Sequence, residues 1–238
     1  MRRTLVLLAT ALSAAGCGSH SSGVARQGAT TVPAAHTRFV SRVDNPWFPL
    51  RPGTVYRYRG IKDGQPSTEV FTVAHAARVI QGVRCTVVRD LLYIRGRLHE
   101  STTDWYAQDA AGNVWYYGEA TAELDARGRV ASRAGSWTAG ADGARAGIYM
   151  PANPRPGQGA RQEFYRGHAE DQFKVVSRSA RVHTGAASSD HALLTEEFTR
   201  LEPGVLDHKY YVLGIGTVLE QTVRGGNERN ELVSVRRG

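Results

Sequence analysis

Apolar and polar positions alternate along most of this chain, and no stretch keeps a long helical period. Short runs rich in Val, Thr, Tyr and Trp are separated by turn residues at close intervals, the pattern of half-buried strands. The alternation predicts strands over Thr54–Ile61, Thr68–Ala74, Val83–Ile94, Leu98–Gln108, Val114–Ala120 and Arg129–Ser132. After a long connector it predicts Gln162–Tyr165, Phe173–Val176, Ala180–His183, Ala192–Leu201, His208–Leu213, Thr217–Val223 and Glu231–Val235. Turns are marked by Lys62-Asp63-Gly64, Gln81-Gly82, Asp109 to Asn113, Asp125 to Gly128 and Gly225-Gly226-Asn227. Parallel strands need long crossovers, and these are missing, so the pairing is expected to be antiparallel.

The two halves of this pattern resemble each other. Pro52-Gly53 answers Pro156-Gly157, and Tyr106, Gly112 and Val114 answer Tyr210, Gly216 and Val218 at equal spacing. The expected fold is therefore all-β: two similar antiparallel meanders, in residues 45–133 and 150–238, forming a curved sheet or open barrel, or else a sandwich. Ala134–Gly159 interrupts the alternation. It is too long for a hairpin and too rich in Gly and Pro for a helix, and it reads as a loop that packs through Trp137, Ile148, Tyr149 and Met150.

The first residues follow a different pattern. Arg2 and Arg3 precede an apolar run, and Ala14-Ala15-Gly16 leads into Cys17. The run is shorter than a membrane-spanning helix requires. The pattern is that of a signal peptide over residues 1–16 with a lipoprotein-type cleavage site, Cys17 being the lipidated residue. An ordinary signal peptide with an incidental cysteine is the alternative; Ala14 stands where Leu is more usual. Residues 17–36 then form the anchor cysteine and a flexible tether, and 37–238 the β-rich domain. The expected address is the extracytoplasmic face of a membrane, held by acyl chains on Cys17.

Charge and cysteine count add little. The formal net charge is +8, carried almost wholly by scattered arginines, which suits solvated strand faces. Export disfavours nucleic acid as a partner. Cys85 is the one cysteine besides Cys17. It shares a strand face with Val83 and Val87, as a buried structural thiol would.

Asp104-Trp105-Tyr106-Ala107-Gln108-Asp109 followed by Gly112-Asn113-Val114-Trp115-Tyr116-Tyr117-Gly118-Glu119 resembles a signature of a family of uncharacterised bacterial lipoproteins. Asn45-Pro46-Trp47-Phe48-Pro49-Leu50, Gly135-Ser136-Trp137, Met150-Pro151-Ala152 and Ala169-Glu170-Asp171 are similar to the same family. The resemblance implies an exported β-rich domain and no activity.

The chemistry on offer is sparse. Trp105, Trp115, Tyr117, Trp137 and Met150 could form an apolar platform for a lipid or glycan, or pack as core. Alternation places Trp115 and Tyr117 on one face and Tyr116 on the other. Glu119, Glu170 and Asp171 are the candidate polar groups. Two carboxylates from Glu119, Glu163, Glu170 and Asp171 would suit a glycan hydrolase if they met in one cleft. Asp109 and Asn113 suit a turn better than a calcium site. No metal-ligand spacing, serine-hydrolase motif or cofactor motif occurs, so no cofactor or metal is expected. The resulting expectation is a lipid-anchored envelope module, binding or assembling rather than catalysing, with a lipid, glycan or envelope protein as partner.

Overall fold

The computed structural model describes Pro33 and residues 36–238. Cys17, the signal segment and nearly all of the tether lie outside the described residues. The elements are β1 (Phe39–Val40), β2 (Val55–Lys62), β3 (Gln65–Ile80), β4 (Val83–Ile94), β5 (Arg97–Asp109), β6 (Val114–Leu124), β7 (Val130–Ser132) and β8 (Trp137–Thr138). They continue with β9 (Arg145–Met150), β10 (Gly159–Arg161), β11 (Glu163–Phe164), β12 (Asp171–His183), β13 (Ser188–Thr199), β14 (Leu206–Val212), β15 (Gly216–Arg224) and β16 (Arg229–Arg236). There is no helix among the described residues.

All pairings are antiparallel and belong to one sheet, ordered β10-β12-β13-β14-β15-β16-β2-β3-β4-β5-β6-β9-β11. The fold is thus the expected all-β, antiparallel pair of meanders, and of the alternatives it takes the curved, barrel-like form. The meanders join where the last strand, β16, pairs with the first long one, β2, from Arg229↔Ile61 to Arg236↔Val55. The far edges then approach each other. A Cβ on Gly147 of β9 would stand 2.3 Å from the carbonyl oxygen of Arg161 of β10, closer than any real Cβ contact. Only glycine lets this seam shut.

Tight hairpins set the register. Asp63-Gly64, Gln81-Gly82 and Arg95-Gly96 all have positive φ at both positions, the geometry that matches strand twist. Both Arg-Pro-Gly turns make the same bonds. Gly53 N–H donates to the Val73 carbonyl at 2.8 Å, and Gly157 N–H to that of Val175 at 2.8 Å. Val73 N–H donates back to Thr54, and Val175 N–H back to Gln158.

Two readings of the sequence change. Ala134–Gly159 is not a structureless loop, since it holds β8 and β9, and β9 extends the sheet through Trp115↔Ile148 and Tyr116↔Gly147. Its Gly-rich composition hid strands of two and six residues whose glycines permit close backbone approach. Phe173–Val176 and Ala180–His183 are one strand, β12, interrupted by register shifts.

Candidate functional site

The sheet's inner face is not uniformly apolar. At one end lies a loop, Val43–Leu50, closed by a bridge between those two residues. Its anchor is Asn45, buried to 2 % exposure. The Asn45 amide donates to the carbonyls of Gly112 at 2.9 Å and Pro151 at 3.0 Å. Its Oδ1 accepts from Trp47 N–H. Asn113 extends the knot, accepting from Ala152 N–H and donating to Asp109 Oδ2. Trp115 Nε1 donates to that same oxygen at 2.8 Å. Four of the motif segments, 45–50, 104–109, 112–119 and 150–152, therefore meet in one structural hub, while 135–137 and 169–171 take no part in these bonds.

This hub presses Phe48, Pro49 and Leu50 against the sheet's interior, where they floor a cavity of about 70 Å³, several times the room one water needs. Tyr106 and Tyr116 stack at 4.8 Å beside it, with Tyr149 edge-on to Tyr106 at 5.1 Å. Beyond this aromatic layer the lining turns acidic: Glu69, Asp90, Glu100, Asp104, Glu119 and Glu220. Lys209 is the one lysine or arginine in the lining. A second cavity of about 50 Å³ shares Glu69, Glu100, Glu220 and Asn230 with the first. It reaches the strand ends at Ile61, Lys62 and Glu228, where Lys62 and Glu228 pair at 3.3 Å.

Burial governs the ionisation of these groups. It raises Glu69 to about 8, assisted by the charge of Glu220, while hydrogen bonds with Asp90 and Asn230 pull the other way. Burial, with Glu69, Asp104 and Glu100 adding repulsion, holds Asp90 well above the usual carboxylate range. Asp104 rises to about 6 through burial, although it accepts a 2.5 Å hydrogen bond from the Tyr116 hydroxyl. Burial likewise raises Glu100 and Glu220. Lys209 stays charged. Burial works against its proton, but Glu197 at 2.7 Å and Glu220 at 3.7 Å outweigh it. Burial also opposes ionisation of Glu197, but Lys209 wins and keeps it ionised.

Of the residues singled out from the sequence, Glu119 lines this cavity; Trp105, Trp115, Tyr117, Trp137, Met150, Glu170 and Asp171 do not. Trp115 and Tyr117 are buried beneath Phe39, at ring distances of 6.5 and 5.7 Å. Trp105 is buried with the Arg78 guanidinium 3.8 Å from its ring centre. Trp137 packs edge-on to Tyr116 at 5.5 Å, and Met150 is 2 % exposed. Glu170 accepts from Gly167 N–H and faces Arg161 at 3.9 Å. Asp171 opens β12, opposite Thr199. Strict alternation would put Glu119 on the Tyr117 face. Gly118, at φ 133°, and a register shift at Trp105/Tyr106 return it to the Tyr116 side.

Strand parity missed the other cavity residues. Glu69 with Ser67, and Asp104 with Glu100 and Thr102, alternate as a solvated face would, while Asp90 and Glu220 stand singly beside Val88, Leu92 and Val218. The interleaved Phe71 and Tyr106 were the available signal, because they share that face with the acids.

No protein-family model and no curated protein matches the chain. Two solved structures are similar in fold. One is a presumed exported protein with a YmcC-like fold from Bacteroides fragilis, at 15% identity and a TM-score of 0.45, over 80% of this chain and 99% of that one. The other is a presumed lipoprotein from Parabacteroides distasonis, at 10% identity and a TM-score of 0.41, over 81% and 99%.

Proposed function

We propose that this protein is a lipid-anchored binding module of the cell envelope that takes a small ligand inside its curled sheet. The observation that carries this reading is the interior cavity, with an aromatic floor and carboxylates above it. A chain selected only for stability would fill such a centre with apolar side chains, because buried ionisable groups oppose folding. The signal pattern ending at Cys17 supports the address. A glycan hydrolase built on Glu119, Glu163, Glu170 and Asp171 needs two of them in one cleft. Glu119 lines the cavity and the other three do not, which disfavours that mechanism.

The test is native mass spectrometry of the full chain extracted from its own envelope in mild detergent. The expected result is acyl mass on Cys17 and a small molecule released on denaturation. A bare chain that no envelope fraction shifts in mass would overturn the binding role. A Cys17→Ser chain that stayed with the membrane would overturn the anchor.

A further inference from the structure

We infer that the cavity is a site for a small organic cation, an ammonium group carried on a short apolar body. This rests on the binding reading above and gives it a ligand class. The argument starts from charge. Six carboxylates from five strands face one chamber: Glu69 on β3, Asp90 on β4, Glu100 and Asp104 on β5, Glu119 on β6 and Glu220 on β15. The facing cation is Lys209 on β14, already committed to Glu197 and Glu220. The neutral polar groups facing in are Tyr56 and Tyr58 on β2, Thr102 and Tyr106 on β5, Tyr116 on β6, Tyr149 on β9, Thr217 on β15 and Asn230 on β16. The exterior is rich in arginine and the chain's net charge is +8, so this concentration of acids does not reflect composition.

A second observation points to a missing donor. Asp90 is 8 % exposed; its carboxyl shares a hydrogen bond with that of Glu69, and no N–H or hydroxyl among the described residues donates to its Oδ1. Once Asp90 ionises, that buried oxygen has no donor, which is costly. An ammonium N–H would satisfy it, and the same charge would neutralise Glu69 beside it. The floor fits the other end of such a ligand. Tyr106, Tyr116 and Phe48 offer ring faces and edges to an alkyl body or to the cation itself. A metal ion fits less well, because no three acidic, histidine or cysteine side chains among the described residues stand close enough to hold one.

The site's protonation follows. Carboxyls that hold protons in the empty cavity release them when a cation takes their place. Binding is therefore tighter as pH rises toward about 8, where Glu69 ionises unaided.

The experiment is calorimetric titration of the full chain in detergent with butylamine, and with butanol as its neutral counterpart. Repeating it in buffers of different ionisation enthalpy counts the protons released. The amine is expected to bind with net proton release near neutral pH, at least about tenfold more tightly than the alcohol. Asp90→Asn and Glu69→Gln are each expected to weaken the amine by about tenfold or more. Both remove a buried acid, so both should fold, with thermal unfolding at or above the parent's temperature. Equal binding of amine and alcohol, or no binding of the amine, overturns the cation assignment. If native mass spectrometry still finds a neutral small molecule in the chain, the binding role stands without it. If the chain is bare there as well, both readings fall.

Discussion

At the scale of single residues, the aromatic motif and Asn45 are architecture. Asn45 joins three segments through its side chain, and Asp109 holds Trp115 and Asn113. Asn45→Ala leaves two carbonyls and a backbone N–H unpaired in a buried place. A loss of about 2–4 kcal/mol is expected in urea unfolding, at 1–3 kcal/mol per orphaned group with partial relaxation. Trp115→Ala should cost about 3–5 kcal/mol by the same measurement, as large buried aromatics do. Cys85, fully buried and with its thiol pushed up to about 12 by burial, should react with thiol reagents only on unfolding.

The interior acids give a pH dependence of unusual sign. Glu69 is raised from 4.5 to about 8 in the folded state, and Asp90 and Asp104 are raised too. Their protonated forms favour folding. That stability is full below the unfolded values and is lost as pH rises through the folded ones. The melting temperature is therefore expected to fall by several degrees between about pH 5 and pH 8.5, and Glu69→Gln should flatten the slope. Glu197 acts in the opposite sense, because its folded value is lowered by Lys209. Its contribution is present above the usual glutamate range and disappears in more acidic solution.

At the scale of elements, the long strands were legible because their hairpins are short and chemically marked. Asp63-Gly64 and Gln81-Gly82 announce their turns, and the segments between alternate with period two. The elements that stayed hidden are the short ones. β8 and β9 lie among glycines, and their role depends on what they approach rather than on their own propensity. A Cβ on Gly118 would stand 2.4 Å from the Trp137 carbonyl oxygen, so β8 can lie against β6 only at a glycine. Gly118→Val should detach β8, expose Trp137 and redshift its fluorescence. Gly147→Val should do the same to the β9–β10 seam, read as faster amide exchange in β9 and β10. The interior acids stayed hidden for a related reason. Polar residues at alternate positions, as in Ser67-x-Glu69 and Glu100-x-Thr102-x-Asp104, signal a wet face, and here that face is the inside.

At the scale of the whole molecule, the two meanders share more than their order. The paired Arg-Pro-Gly turns, each fastened to the middle of a long strand, mark the start of each half with the same three backbone bonds. One half contributes most of the aromatic floor and most of the acids. The other contributes Lys209 and Glu220, so the cavity belongs to neither alone.

The pairing of β16 with β2 has a consequence for how the chain is made. Among the described residues β2 is the first long strand to be synthesised, and its neighbour β16 is the last. Until Arg229–Arg236 arrives, β2 presents an unpaired edge, and the cavity wall beside Tyr58 is missing. A chain truncated before residue 229 would keep the β2–β3 pairing but leave the other edge of β2 open to another molecule. The arrival of β16 is thus the step that covers the sticky edge of the nascent sheet.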